Sequence, residues 1–160
     1  MISNATALIC LSKINKLDLL KKVYTLIIIP SSVKAEVLIE GKEGYLGIYN
    51  AIKRGWIRVV DPKKSIDLGL GAGENQAISL AIEKNDSIIL DNAFSIKAAK
   101  AFNVSIVRTT TVITALRKKV INKAQALEML NKLIDIGYFI SIKDYAILMS
   151  KLSITKPKSF

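Results

Sequence analysis

Residues Gly71 to Asn92 read GAGENQAISLAIEKNDSIILDN, a glycine-rich approach, an amphipathic helix, a buried strand and an acidic-amide end. Glu74 falls in the first turn of the helix, and Ala77, Ile78, Ala81 and Ile82 follow it at three, four, seven and eight residues. That spacing sets Glu74 on the apolar stripe. A carboxylate on an inward face, at the helix end where backbone N–H groups favour negative charge, must gain something that offsets its desolvation. The strand Ser87 to Leu90 then stops directly at Asp91. Open parallel sheets bind ligands beyond the carboxyl ends of their strands, so Glu74 and Asp91 are two candidate acids for one pocket.

Working outward, Met1 to Ser3 is a candidate first strand closed by Asn4, and Ala5 to Ile14 a helix with Ala7, Leu8, Leu11 and Ile14 toward the core. A short helix around Leu17 to Val23 leads to the β-branched run Thr25 to Ile29, stopped by Pro30. Such a run is buried on both faces, as in a parallel sheet. Ser31 or Ser32 is expected to cap the next helix, which carries Glu36 and ends near Gly41. Tyr45 to Arg54 reads as a helix ended by Gly55, and Trp56 to Val60 as a strand. Past the central segment come a helix (Ala93 to Phe102), a strand (Ser105 to Val107) and a helix (Thr109 to Lys119). A long helix, Asn122 to Ile136, places Ala126, Leu127, Leu130, Leu133 and Ile134 on one face, and Gly137 ends it. Tyr138 to Ile142 is expected as a short strand, followed by a last helix through Leu152 and a basic tail over 154–160. Alternating strands and helices predict an α/β fold with a parallel sheet covered on both sides.

A chain of 160 residues supports one domain with a full core. It contains no histidine, which excludes Ser-His-Asp and Cys-His catalysis and the usual zinc hydrolase sites. Chemistry here must rest on carboxylates, hydroxyls, lysines or a hard cation held by oxygen. The single cysteine, Cys10, permits neither an internal disulfide nor a thiolate zinc site, and fits a cytoplasmic address. The start of the chain lacks a signal-peptide pattern and no apolar run is long enough for a bilayer, so no membrane partner is expected. A net charge of +11 attracts polyanions, RNA or DNA most simply, or an acidic protein.

Each candidate also has a plain structural explanation. Asp91 and Asn4 both precede helices, where Asp and Asn are favoured caps. Glu74 can complement a helix dipole, and Glu36 can be a solvated residue. Gly69 to Gly73 lacks the spacing of a dinucleotide fingerprint or a P-loop, so a loop giving a tight helix start is favoured over phosphate binding. Trp56 and Cys10 read as core, and Arg117-Lys118-Lys119 as a solvated helix end.

Taken in order, Ile2 to Thr6, the step Pro30-Ser-Ser-Val-Lys-Ala-Glu-Val, Gly71-Ala-Gly-Glu before an alanine-rich helix, and Ile89-Leu-Asp91 before a lysine-bearing helix resemble the PIN domain. The similarity is strongest to a VapC-like branch of predicted nucleic-acid-binding proteins, and it spans residues 1–153, leaving the tail 154–160 outside. It implies a three-layer α/β/α sandwich with a central parallel sheet in the order 3-2-1-4-5. By position, Asn4 matches the first acid of the family, Glu36 the second, Glu74 the third and Asp91 the fourth. Asn92 matches an adjacent place that often holds another Asp. Thr6 resembles the hydroxyl residue that orients the first acid, and Thr109 or Thr110 falls where a small or hydroxyl residue commonly follows the last strand. Asparagine at the first position is common in this branch.

The resemblance implies a Mg²⁺- or Mn²⁺-dependent endoribonuclease acting on single-stranded RNA, a toxin of a toxin–antitoxin pair with a cognate antitoxin, and a homodimer. Physical reasoning agrees in kind, because carboxylates forced together repel and a divalent cation relieves that repulsion. Asn4 contributes an amide oxygen but removes one negative charge. A catalytically silent PIN-like module that binds RNA or a partner is the alternative reading, and a nucleotide-binding protein using the glycine segment is a third.

Overall fold

A computed structural model describes residues 1–108 and 111–153. Thr109, Thr110 and the tail 154–160 lie outside the described residues. The elements in chain order are β1 (Ile2–Ser3), α1 (Ala5–Lys13), α2 (Asp18–Tyr24), β2 (Ile27–Ile29), α3 (Ser31–Val37), α4 (Tyr45–Lys53) and β3 (Ile57–Val59). There follow α5 (Ala72–Lys84), β4 (Ile88–Ile89), α6 (Ala93–Ala101), β5 (Ile106–Val107), α7 (Val112–Arg117), α8 (Lys123–Asp135) and α9 (Ile142–Ser153).

The five strands form one sheet in the order β3-β2-β1-β4-β5, with every pairing parallel. Ile2 stands beside Ile28 on one side and Ile88 on the other. Neighbouring residues of a strand face opposite sides of the sheet. Ile88 and Ile89 are both fully buried, so helices cover both faces and the molecule is an α/β/α sandwich. Strands β2 and β3 extend one way from β1, while β4 and β5 extend the other. The gap between the carboxyl ends of β1 and β4 is therefore the switch point at which open α/β sheets bind ligands.

Local chemistry explains the boundaries. Helix α5 starts after Gly71 and ends at Asn85, whose φ of 47° takes a left-handed conformation that asparagine adopts more readily than most residues. Its Ala77, Ile78 and Ala81 are buried as the spacing predicts, whereas Ile82 is only partly buried and Ser79 and Leu80 are buried as well. The segment 68–70 is tied to the helix by Asn75, which accepts from Leu68 N–H at 3.2 Å and donates to the Leu70 carbonyl at 3.2 Å. The glycine-rich stretch is thus a loop fastened to its own helix.

Four expectations need correction. Neither Ser31 nor Ser32 caps α3 through its side chain; instead the Asp61 carboxylate, just beyond β3, accepts from the Ser31 N–H at 2.7 Å and from its hydroxyl at 2.6 Å. The two serine-bound contacts hold the Asp61 carboxyl below its ordinary range. The helix also ends at Val37, short of Gly41. On α8 the buried residues are Ala126, Met129, Leu130 and Leu133, while Leu127 and Ile134, about 80–100° away around the helix, are 41% and 39% exposed. Tyr138 to Ile142 is not a strand: Gly137, at φ 85°, turns the chain and Tyr138 tucks inward before α9 begins at Ile142. Among the described residues no helix is long and apolar enough to cross a membrane.

Two residues expected to be passive are otherwise engaged. Lys118 donates to the Val23 carbonyl at 2.8 Å and lies 5.6 Å from the Tyr24 ring centre, joining α2 to the end of α7. Cys10 is only half-buried and lines a cavity. Trp56 is buried as expected.

Candidate metal and nucleic-acid site

The site is assembled at the carboxyl edge of the sheet. Asn4 follows β1, and its N–H donates to the Ile89 carbonyl at 3.3 Å. This sets it alongside the end of β4, close in register to Asp91. Asn4 occupies the cap position of α1, but its side chain makes no capping bond. It is 3% exposed and its Oδ1 is buried without a hydrogen-bond partner. A buried acceptor left unpaired costs about 1–3 kcal/mol, so this amide oxygen has a lone pair open to a proton donor or a hard cation. Helix capping does not account for it.

Asp91 also escapes the capping explanation. The cap of α6 is Asn92, whose side-chain oxygen accepts from Phe94 N–H at 2.8 Å and Ser95 N–H at 3.2 Å. Asp91 instead accepts a hydrogen bond from the Tyr138 hydroxyl at 2.8 Å. Burial, then the charge and hydrogen bond of Asp91, hold the Tyr138 hydroxyl far above its ordinary range, with Arg108 acting against them. The phenol keeps its proton and donates. Burial and then the Asp91 charge also push the Cys10 thiol up, against Lys13, so Cys10 is a protonated neighbour rather than a nucleophile.

Glu36 and Glu74 meet where α3 crosses the start of α5. The two helices are joined by Ser32, whose hydroxyl donates to Gln76 Oε1 at 2.8 Å, and Glu36 of α3 comes up against Gly73 of α5. A Cβ on Gly73 would lie 2.9 Å from the Glu36 carboxyl carbon and closer still to its Oε1. Glycine is what lets the carboxylate settle against the helix backbone. Burial and then the Glu74 charge raise the Glu36 carboxyl above its ordinary range, and the Gly73 N–H partly compensates. Glu74 is held in turn by the Ser95 hydroxyl, which donates to its Oε1 at 2.6 Å.

The structure therefore brings Glu36 and Glu74 together, and links Glu74 through Ser95 to Asn92, the neighbour of Asp91. Among the described residues, no three acidic, cysteine or histidine side chains close on one point. Asp91 faces a separate cavity of about 450 Å³, shared with Thr6, Cys10, Arg108 and Tyr138. The fit to a divalent cation is good in kind: two mutually repelling carboxylates and an orphaned amide oxygen are hard donors of the sort Mg²⁺ and Mn²⁺ accept. Gly73, Ser95 and Tyr138 were not singled out as site residues from the sequence. Gly73 lay inside a segment attributed to loop tightness, Ser95 carried no signal, and Tyr138 was assigned to a strand.

Comparison with known proteins agrees with the architecture. The PIN-domain family model matches residues 1–153. No curated protein sequence matches. Among solved structures, a PilT N-terminus domain protein from the hyperthermophilic archaeon Sulfolobus solfataricus is similar, with a TM-score of 0.52 and 21% identity over 68% of this chain and 85% of that one. At this identity the likeness concerns the fold alone. With the sheet order, the switch point and the family match in agreement, the chain belongs to the PIN-domain family, whose members are generally nucleases that use divalent metal ions.

Proposed function

We propose that the protein is a metal-dependent endoribonuclease that cleaves single-stranded RNA. The observation that carries this reading is the Glu36 carboxylate, seated against Gly73 at the start of α5 and facing the charge of Glu74, which adds to burial in raising it above its ordinary range. A cation offsets that repulsion.

In this reading Glu36, Glu74 and the Asn4 amide oxygen hold Mg²⁺ or Mn²⁺, with Asp91 joining directly or through water. A bound divalent ion supplies Lewis acidity toward the phosphodiester and the attacking water. Ser95 keeps the Glu74 carboxylate aimed, and the Gly73 N–H does the same for Glu36. Tyr138 fixes the orientation of Asp91. Asn92 holds the start of α6, on which Ser95 is carried. Thr6, at the wall of the Asp91 cavity, and Thr110 complete the set as supporting hydroxyls. The net charge of +11 favours an RNA strand at low ionic strength. The same charge suits an acidic antitoxin; the resemblance to VapC-like proteins adds a toxin role and a homodimer to the proposal, and the single cysteine a cytoplasmic setting.

Purified protein incubated with single-stranded RNA tests the reaction. Cleavage that requires Mn²⁺, stops with chelator and is lost in Glu74→Gln and Asp91→Asn supports the enzyme; cleavage indifferent to chelator contradicts it. A second reading, a PIN module that binds RNA without cutting it, draws on the absence of a three-acid cluster among the described residues. RNA binding without Mn²⁺-dependent products would establish that alternative.

A further inference from the structure

Two cavities meet at Asn92. One, of about 500 Å³, is lined by Glu74, Asn92, Phe94 and Lys97 together with the 68–70 loop. The other, of about 450 Å³, is lined by Asp91, Asn92, Arg108, Lys13 and Phe139, among others. Each contains one acid of the site, one phenylalanine and positive charge. Phe94 is 77% exposed and Phe139 80% exposed, so neither ring serves the core. A single exposed apolar residue is ordinary. Two exposed rings, one lining each of two cavities that share Asn92 and each in company with an acid and cationic side chains, form a pattern that dispersal does not explain.

We propose that Phe94 and Phe139 are stacking platforms for two unpaired bases of one nucleic-acid strand, whose backbone crosses Asn92 and the acids between them. This rests on the nuclease reading above and adds the form of the substrate. Every base offers a π-face to an aromatic ring, so such platforms accept many sequences while requiring bases that are free of a duplex. Both cavities fall within the range of about 300–1,000 Å³ that admits small organic groups. Lys97 on one side, and Lys13 and Arg108 on the other, provide the charge that a phosphate backbone needs. A cut made between the platforms leaves one anchored base on each product.

A single-stranded oligonucleotide carrying 2-aminopurine, titrated with full-length protein both in EDTA and in Mn²⁺, provides the test. Stacking quenches the probe, and Phe94→Ala and Phe139→Ala should each weaken binding by about 5- to 150-fold and restore fluorescence. Phe94→Trp and Phe139→Trp should preserve both signals, and the same sequence as a duplex should bind more weakly without quenching. Unchanged affinity and quenching in the two alanine variants would overturn the stacking proposal and leave the nuclease reading standing. Absence of wild-type binding in both buffers would overturn both. Alanine variants that alter the sedimentation coefficient but leave RNA affinity unchanged would reassign the rings to contacts between copies of the chain, which also overturns the proposal.

Discussion

The two sides of Asn92 treat their carboxylates in opposite ways. On the α3–α5 side, Glu36 lies against Gly73 and faces Glu74, with N–H and hydroxyl contacts that orient the two but no ion pair to either among the described residues. On the β4 side, Asp91 already accepts a hydrogen bond from a buried tyrosine. One side leaves a like-charge neighbour facing Glu36, which in the proposed reading a cation would relieve; on the other, Asp91 has a partner within the protein. In the proposed reading the contrast gives the tightest metal contact to the glutamates and a more adjustable role to Asp91.

The largest effect that would break this contrast is on Mn²⁺ affinity. Loss of an outer-shell partner costs about 10–100-fold, so Glu74→Gln should lower affinity by at least about 100-fold and Asp91→Asn by about 10-fold, read by calorimetry. Equal losses would erase the distinction between the two sides. Next, Gly73→Ala drives a methyl group into the Glu36 carboxylate while favouring the helix, whose interior prefers Ala over Gly by about 1 kcal/mol. Mn²⁺ affinity should fall about 10–100-fold with no decrease in Tm. A fall in Tm with affinity intact would mean that Gly73 serves packing and not the acid pair.

Tyr138→Phe acts on the other side. It removes the donor from Asp91 and should cost about 1–2 kcal/mol, or roughly 2–8 °C in Tm, seen in urea and thermal unfolding. The smallest effect concerns pH. Because the Glu36 carboxyl is raised above 4.5, folding favours its protonated form. That contribution is present at acid pH and is lost as pH rises through the raised folded value. In metal-free protein Glu36→Gln should therefore increase stability near neutral pH, by less than about 1 kcal/mol because Glu36 is partly open to solvent. The gain should vanish below pH 4.5 and shrink when Mn²⁺ is added. A variant less stable than wild type at neutral pH without metal would contradict the raised Glu36 carboxyl, to which burial contributes first and the Glu74 charge second.

Much of the scaffold was legible because its signals are local. The run Thr25 to Ile29 does hold a strand, although only Ile27 to Ile29 form it, with Ile27 and Ile29 fully buried on one face and Ile28 partly buried on the other. Glu74 sits on the stripe of Ala77, Ile78 and Ala81 that its spacing indicates. What escaped reading depends on contacts distant along the chain. Asp61 reaches Ser31 across 30 residues, and Tyr138 reaches Asp91 across 47. No periodicity encodes either. The bend at Gly137 decided that Tyr138 points inward, whereas Tyr138 to Ile142 taken alone looks like a strand. Leu127 and Ile134 were placed in the core because α8 carries more apolar residues than its buried stripe can cover. At the site, the helix and strand pattern paired Glu74 with Asp91, but these two line different cavities and it is Glu36 that faces Glu74. The glycine that permits it needed coordinates, since Glu36 and Gly73 are adjacent only after α3 packs on α5.

Anomalous diffraction at the manganese edge, from crystals of the wild-type protein grown with Mn²⁺, addresses the central claim directly. The account predicts a peak in contact with the carboxylates of both Glu36 and Glu74, absent in Glu74→Gln crystals. Manganese bound elsewhere, or a Glu36–Glu74 pair that stays metal-free in crystals whose dissolved protein cleaves RNA with Mn²⁺, would contradict it.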